Sequence, residues 1–289
     1  MFDRVPEPVF TIAVIAVTCL VSIHGFRDPS FVQRFIFWPE AILRDKQGYR
    51  LITAGFLHLN WFHLLGNMYS LYAFGKYMEM YLGALPLLTI YFSSIVGGDL
   101  LSLFLHRHHD YRALGASGGV CGVIFASIFL LGSDIRFLFL PLPIPAWLYA
   151  IAYLLFSFYG IKAGKDNVGH DAHLGGAIIG LVVATGFYPE IVTRHPVLYS
   201  VVMGLSIAML LYILKNPLFL PWQVFVRSSP RRRPVKPPKP ALTQEEQAEQ
   251  VDAILDKLSR SGMGSLTRAE QEILREAARR GRGGRKPDL

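Results

Sequence analysis

The chain has 289 residues, of which 52% are hydrophobic and 17% are charged, and its formal net charge is +8 at pH 7. This composition excludes an ordinary soluble globular protein, because the apolar residues are gathered in stretches long enough to span a membrane. The basic excess lies largely in the C-terminal tail, so lipid headgroups are the expected partner and nucleic acid is not.

Seven apolar stretches follow one another up to about residue 215, each of roughly 17 to 25 residues, which is the length that crosses a hydrocarbon layer of about 30 Å. The first is expected to remain attached, since acidic residues precede it and no small-residue cleavage site follows it. The fifth is the weakest prediction, because three prolines crowd its start. The predicted spans are Pro8–Phe26, Trp61–Tyr81, Leu85–Leu105, Gly115–Gly132, Ile144–Ile161, His170–Tyr188 and Val197–Leu214.

The first connection, residues 27–60, mixes aromatic and charged side chains. This mixture is typical of an element that lies in the membrane interface. Cys19 and Cys121 both fall inside apolar stretches, which indicates free buried thiols and no disulfide.

The character of the chain changes after the seventh span. Residues 227–241 are rich in proline and arginine and predict an extended linker. Beyond it, Thr243 with Glu246, and Thr267 with Glu270, have the spacing of helix-capping boxes and predict a small helical hairpin with a disordered basic end. The expected divisions are 1–190 for the core, 191–226 for an extra span and interfacial segment, 227–241 for the linker and 242–289 for the hairpin.

Ser117 opens the fourth predicted span in the segment Gly-Ala-Ser-Gly-Gly. The glycines leave its hydroxyl open to an approaching peptide backbone, which a nucleophile requires. Small residues such as Gly118 and Gly122, four positions apart, are equally common where membrane helices merely pack together. Taken alone, the serine is compatible with either interpretation.

His173 lies near the start of the sixth span, and Gly176 and Gly180 follow it. Two crossings separate the starts of the fourth and sixth spans, so Ser117 and His173 are expected at matching depth on the same side of the membrane. If the two glycine faces meet, the two side chains come within hydrogen-bond reach. The alternative for His173 is an interfacial residue that headgroups satisfy, which is the interpretation we favour for His170.

His63 and Asn67 are four residues apart and share one face of the second span, near its start on that same side. Donors there could stabilise an oxyanion, the charge that acyl transfer from a serine generates, and one such donor contributes about 3 kcal/mol. Hydrogen bonding between helices is the alternative for each residue alone. Three polar sites at the same end of three even-numbered spans favour the catalytic interpretation.

In order and spacing these residues resemble the rhomboid family of intramembrane serine proteases. The resemblance covers about residues 8–190 and implies an all-α polytopic membrane protein with a six-helix core, to which a seventh transmembrane helix and a small helical tail are added. The matching positions are Tyr49-Arg50, His58, His63-x-x-x-Asn67, Gly115-Ala-Ser117-Gly118 and Ala172-His173-x-x-Gly176-x-x-x-Gly180.

The resemblance also implies the chemistry. Ser117 would be the nucleophile and His173 the general base, in a dyad without an acidic third member. No metal or cofactor is expected, and the substrates would be single transmembrane segments of other proteins. Further roles would be an oxyanion hole formed by His63, Asn67 and the Ser117 backbone N–H, loop anchors at Arg50 and His58, and helix packing near the site through Gly118, Gly122, Gly176 and Gly180.

The sequence departs from the expected family pattern at one position. Family members are expected to carry an aromatic residue four positions after the serine, packing on the histidine ring, and Cys121 stands there instead. Another ring is then expected to support His173, with Tyr69, Tyr72 and Phe125 as the candidates.

The implied location is a bacterial inner membrane, with a water-filled active-site cavity that opens to the extracytoplasmic side and a gate near the fifth span. Seven crossings from a cytoplasmic N-terminus would place the tail outside, whereas the arginines at 231–233 favour the cytoplasm. The side of the tail therefore stays open.

Two other function classes are alternatives. A catalytically silent relative would bind and escort membrane proteins, although such relatives normally lack the serine or the histidine. A metal or ion transporter would use histidines as ligands, but the sequence contains no His-Glu-x-x-His motif and Asp99 is the one acid within the third span. Its candidate ligands would be His58, His63, His106, His108, His109, His170 and His173.

Overall fold

The structure is a computed structural model, and it describes residues 7–132, 143–163, 169–215 and 244–261, together with single positions between 266 and 277. The chain divides into two compact units, residues 1–226 and 227–289. Helices make up most of the regular structure of the described ranges, and Phe37 and Ala113 form a β-bridge.

Seven long helices form in the first unit where the apolar stretches predict them, which confirms the all-α polytopic fold. They are α1 (Val9–Arg27), α5 (Trp61–Leu82), α6 (Ala84–His106), α7 (Ser117–Leu131), α8 (Ala146–Ala163), α9 (His170–Phe187) and α11 (Pro196–Lys215). The prolines before the fifth stretch delimit α8, which begins directly after Pro145. Shorter helices are α2 (Pro29–Phe35), α3 (Pro39–Leu43), α4 (Arg50–Thr53) and α10 (Glu190–Arg194).

Helices α1, α6 and α11 are each long and apolar enough to cross a membrane, and α7 and α8 contain shorter apolar helices of 10–17 residues, among the residues that the structure describes. Large apolar side chains on the outside of this unit are widely exposed, as lipid contact allows. Examples at 66% exposure or more are Leu20, Phe62, Leu85, Tyr159 and Val197.

The connection from α1 to α5 is a packed element. The Asp28 carboxylate caps α2 by accepting hydrogen bonds from the backbone N–H groups of Ser30 (2.8 Å) and Phe31 (3.2 Å). Farther along, the fully buried Phe37 exchanges two backbone hydrogen bonds with Ala113, at 3.0 and 3.2 Å. The first connection therefore holds the segment that leads into α7.

Helix α9 packs against both α6 and α7, which places it at the centre of the site described below. Glycines allow this close packing. A side chain at Gly175 of α9 would lie 2.9 Å from the Cα of Gly98 in α6, which is closer than real Cβ atoms approach backbone. The spacing of α9 and α6 is thus limited by backbone contact.

In the second unit, α12 (Gln244–Ser261) forms where the first helix of the hairpin is predicted. Thr243 and the linker lie outside the described residues. The second capping box is confirmed, because Thr267 N–H donates to Glu270 Oε2 (2.7 Å) and Glu270 N–H donates to Thr267 Oγ1 (3.3 Å). A hydrogen bond from Lys257 of α12 and those from Thr267 lower the pKa of Glu270 to about 2.

Candidate active site

Ser117 and His173 meet at the starts of two helices. Ser117 is the first residue of α7, and His173 lies in the first turn of α9. His173 Nε2 is 2.7 Å from Ser117 Oγ, which is a hydrogen-bond distance. When Nε2 is unprotonated, the hydroxyl donates to it, and this is the arrangement in which an imidazole can take the proton of a serine.

Glycines bring α7 and α9 close enough for this contact. A side chain at Gly176 would lie 2.7 Å from the carbonyl carbon of Gly118, and one at Gly180 would lie 2.6 Å from the carbonyl oxygen of Gly122. Because these neighbours are backbone atoms, neither can move aside without separating the helices. All four glycines predicted to pack near the site lie at this contact.

Gly115 shapes the entry to α7. Its φ is 137°, in the range that favours glycine, and a side chain there would lie 2.7 Å from His63 Cε1. The backbone N–H of Gly115 donates to Ala54 O of the first connection at 3.0 Å. This glycine therefore lets the His63 ring lie against the backbone just before Ser117.

A cleft of about 350 Å³ opens beside Ser117, with His63 and Asn67 on its α5 side and Tyr149 and Tyr153 on its α8 side. Its other lining residues are Asn60, Phe62, Gly66, Ser70, Val120, Cys121 and Ile124.

The groups predicted to stabilise an oxyanion share this cleft. Asn67 is 7% exposed, and its Nδ2 donates one hydrogen bond to the His63 carbonyl at 2.9 Å. A primary amide carries a second N–H. The backbone N–H of Ser117 belongs to the first turn of α7, where N–H groups have no partner within the helix. Candidate donors from α5 and α7 therefore line the same cleft as the serine hydroxyl.

Arg50 lies in the first connection and is 5% exposed. Its guanidinium donates to the carbonyls of Gln33 (3.0 Å) and Ile36 (2.7 Å) and to Gln47 Oε1 (2.7 Å). A fixed planar donor that joins three points of one loop holds that loop in a single conformation.

His58 joins the first connection to α1 and to the residue before Ser117. Ala116 N–H donates to His58 Nε2 at 3.4 Å, so Nε2 is unprotonated and Nδ1 carries the hydrogen that Ser22 Oγ accepts at 2.9 Å. Burial, together with the nearby His63, lowers the pKa of His58 to about 3. The neutral ring required by these two bonds is therefore the form present at neutral pH.

Asp171, two residues before His173, lies against His106 of α6 in the interior of the bundle. Its Oδ2 lies 3.2 Å from His106 Nε2, and the side chains are 5% and 7% exposed. The Tyr111 ring stacks on the His106 ring at a centroid distance of 3.8 Å. Nothing in the sequence pattern indicates this pair, because its members are 65 positions apart and neither belongs to a recognised motif.

His170 is not an interfacial residue, and that prediction was wrong. It is 2% exposed, and its ring packs edge-on against Phe156 with centroids 5.1 Å apart. A side chain at Gly160 of α8 would collide with the same ring, so α8 and α9 approach closely here. Contact with headgroups would require an exposed ring.

Six of the seven histidines proposed as ligands for a transporter fall into three pairs, and His108 instead accepts a hydrogen bond from Arg107 Nε at 3.1 Å. His58 lies beside His63, His106 beside His109, and His170 beside His173. In the described part of the chain, no group of three or more His, Cys, Asp or Glu side chains is placed to hold a metal ion.

The aromatic ring beside His173 comes from α8. The Tyr153 ring lies 6.3 Å from the His173 ring, centroid to centroid, with the planes tilted by 31°. The Tyr153 hydroxyl lies 2.7 Å from the sulfur of Cys121, the residue that stands where the family is expected to carry an aromatic ring.

None of the three rings named from the sequence takes this place. Tyr69 and Tyr72 lie on α5 and are each 43% exposed. Phe125 packs edge-on against Tyr153 at 5.8 Å and supports that ring. A signal was present in the sequence, since Tyr149 and Tyr153 stand one helical turn apart in the fifth span.

Comparison with known proteins decides the family. Residues 45–190, just over half of the chain, match the family model described as the Rhomboid domain. The chain belongs to the rhomboid family. Residues 242–280, in the predicted hairpin, match a second model, a family of unknown function designated DUF6576.

The rhomboid protein is similar to relatives from plants, yeast and bacteria, and it spans about half the length of each. It is 32% identical over 151 residues to RHOMBOID-like protein 12, mitochondrial, of Arabidopsis thaliana (46% of this chain, 44% of that one). It is 28% identical over 158 residues to Rhomboid protein 1, mitochondrial, of Saccharomyces cerevisiae (53% and 45%). It is 28% identical over 174 residues to Rhomboid protease GlpG of Yersinia pestis (59% and 58%).

These relatives and the apolar helices make the rhomboid protein an integral, multi-pass membrane protein. Two of the relatives are mitochondrial and one is bacterial. The predicted location in a bacterial inner membrane is therefore not supported over a mitochondrial one.

Proposed function

We propose that this rhomboid protein is an intramembrane serine endopeptidase that cleaves transmembrane segments of other proteins. The observation that carries the proposal is the 2.7 Å hydrogen bond between Ser117 Oγ and His173 Nε2, at the edge of a cleft in an apolar helix bundle. The similarity of this chain to a relative named as a rhomboid protease supports the reaction class.

Acylation begins when Ser117 Oγ attacks the carbonyl carbon of the scissile peptide while its proton passes to His173 Nε2. The oxygen of the tetrahedral intermediate becomes negative. The Ser117 backbone N–H, Asn67 and His63 lie at the cleft to donate hydrogen bonds to this oxygen. The protonated His173 then gives its proton to the leaving amine, the C–N bond breaks, and an ester on Ser117 remains.

Deacylation uses the same two residues. His173 takes a proton from a water molecule, the resulting hydroxide attacks the ester carbonyl, and the same donors stabilise the second oxyanion. Collapse of this intermediate breaks the bond to Ser117 Oγ, which regains its proton from His173. The products are one new carboxylate and one new amine.

The substrates we propose are single transmembrane helices with a locally unstable, small-residue site. A helix in lipid hides its own carbonyl groups, so the scissile segment must unwind before Ser117 can reach it. Asn67 and Ser70 line the cleft and provide polar groups for the freed backbone of the substrate. We further propose that the cleft faces the extracytoplasmic side and that the basic tail contacts anionic headgroups.

The direct test is cleavage of a panel of single-span substrates in proteoliposomes by the wild type and by Ser117→Ala. The wild type is expected to release two fragments and to react with a fluorophosphonate probe at Ser117, whereas Ser117→Ala should do neither. Ser127→Ala, on the same helix and remote from the cleft, is the matched control and should remain active. Cleavage by Ser117→Ala would refute the mechanism, and a wild type that neither cleaves nor labels would favour the silent client-binding alternative.

Loss of the proposed oxyanion donors is expected to slow the reaction without abolishing it. His63→Ala and Asn67→Ala should each lower kcat by about 10- to 1,000-fold, the scale of one lost donor, with little change in KM. Tyr77→Ala, on an exposed position of α5, is the control for loss of a large side chain from the same helix. Wild-type turnover in both variants would remove these residues from the proposed site.

A further inference from the structure

The Tyr153 ring lies beside the His173 ring, where it can restrict the orientation of the imidazole. It reaches the site from α8, whereas the serine and the histidine belong to α7 and α9. The centroids of the Tyr153 and His173 rings are 6.3 Å apart and the ring planes are tilted by 31°, which is within the range of aromatic contacts. Aromatic contacts of this kind restrict the rotation of both partners.

Three contacts hold the Tyr153 ring itself. Tyr149, one turn earlier in α8, stacks on it at 5.6 Å with planes 21° apart. Phe125 of α7 meets it edge-on at 5.8 Å. The hydroxyl lies within hydrogen-bond distance of Cys121 Sγ, also on α7, at 2.7 Å. Contacts from α7 and α8 therefore hold the Tyr153 ring in position beside His173.

The Cys121 contact explains why a small residue stands one turn after the nucleophile. Cys121 is 4% exposed and lines the cleft together with Tyr153. A large ring at position 121 would need the space that the Tyr153 ring and hydroxyl occupy. In this chain the aromatic ring beside His173 comes from α8.

We propose that Tyr153 is the positioning residue for His173 and that its ring is held in place jointly by Tyr149, Phe125 and Cys121. This inference rests on the proposed protease function. Because the supporting ring comes from α8, the orientation of the general base depends on where α8 lies relative to α7 and α9. A substrate that displaces α8 on entering the cleft would alter the histidine as well.

The test compares kcat and KM for cleavage of one transmembrane reporter by Tyr153→Ala, Tyr153→Leu and Tyr153→Phe. Loss of the ring in the first two should lower kcat by about 10- to 100-fold, the scale of a misoriented catalytic group, with KM changed much less. Tyr153→Phe keeps the ring and should remain within about threefold of the wild type, because a single hydrogen bond outside the reacting atoms has a modest net effect. Tyr159→Ala, at an exposed position of the same helix, is the matched control and should match the wild type.

A swap variant separates positioning from general packing. In Tyr153→Ala/Cys121→Phe the aromatic ring moves from α8 to the position one turn after the serine, and kcat should recover at least part of the loss caused by Tyr153→Ala. If Tyr153→Ala fails to fold, Tyr153→Leu, which retains most of the volume, decides the question.

Two results would overturn the proposal while leaving the protease function intact. The first is a variant without the Tyr153 ring that cleaves as fast as the wild type, while cleavage by the wild type still requires Ser117. The second is a loss of activity that appears as a higher KM with kcat unchanged. Failure of the wild type itself to cleave would instead refute the proposed function, so the two failures are distinguishable.

Discussion

Replacing His173 with alanine is expected to lower kcat for cleavage of a transmembrane reporter by about four to six orders of magnitude. The physical reason is that the Ser117 hydroxyl is a weak nucleophile unless a base takes its proton. The base that we propose is His173, whose Nε2 lies 2.7 Å from Ser117 Oγ. The measurement is single-turnover cleavage in proteoliposomes, with membrane insertion checked on the same samples.

Two further variants make this result specific. Because serine and histidine act as one unit, Ser117→Ala/His173→Ala should be no slower than either single variant. His24→Ala, in α1 and outside the cleft, should retain wild-type activity and controls for loss of an imidazole. Additive losses in the double variant would show that the two residues act independently and would contradict the dyad.

Gly176→Ala is expected to cause a large loss of stability for a single added methyl group. The new Cβ would lie 2.7 and 2.9 Å from the carbonyl carbon and the Cα of Gly118, so α7 and α9 must move apart. Overpacking of this kind costs about 1–3 kcal/mol. A displacement of about 1 Å between the serine and the histidine would in addition lower kcat by about 100-fold.

Gly186→Ala is the matched control for this prediction. Gly186 belongs to the same helix, α9, and a side chain there meets no atom within 4 Å. Alanine at this position should leave activity unchanged and the melting temperature equal or slightly higher, because alanine favours the helix. Equal melting temperatures for Gly176→Ala and Gly186→Ala in detergent would show that the backbone contact does not determine the spacing of α7 and α9.

The helices were predictable because their signal is local. A stretch of about 20 apolar residues predicts a transmembrane helix whatever surrounds it. Even the doubtful fifth span became α8, since prolines at a helix start are tolerated where no N–H partner is lost. The capping box at Thr267 and Glu270 was equally local, with all its atoms within four residues.

The residues of the candidate site were predictable for a different reason. Ser117 and His173 are polar groups in apolar helices, and flanking glycines indicated the faces on which those helices meet. The structure brings the two side chains together, although their catalytic roles remain a prediction. Parity of the spans was sufficient to place both at the same end of the bundle.

Other contacts between side chains of different helices were not predictable from the sequence. His170 was expected at the interface and is buried against α8, and its neighbour Asp171 is paired with His106 of α6. Both outcomes depend on how far each helix is rotated about its own axis. Residue spacing along one helix contains no information about the rotation of the next.

The amino-acid sequence by itself determined the helices, the family and the identity of the polar groups at the site, because apolar length and residue type are properties of short segments. Only the tertiary structure decided that Tyr153 lies against His173 and that His58 receives the N–H of Ala116. Those contacts join segments that are 20 to 58 positions apart, and they depend on how whole helices and the first connection pack against one another, which no short segment of the sequence specifies.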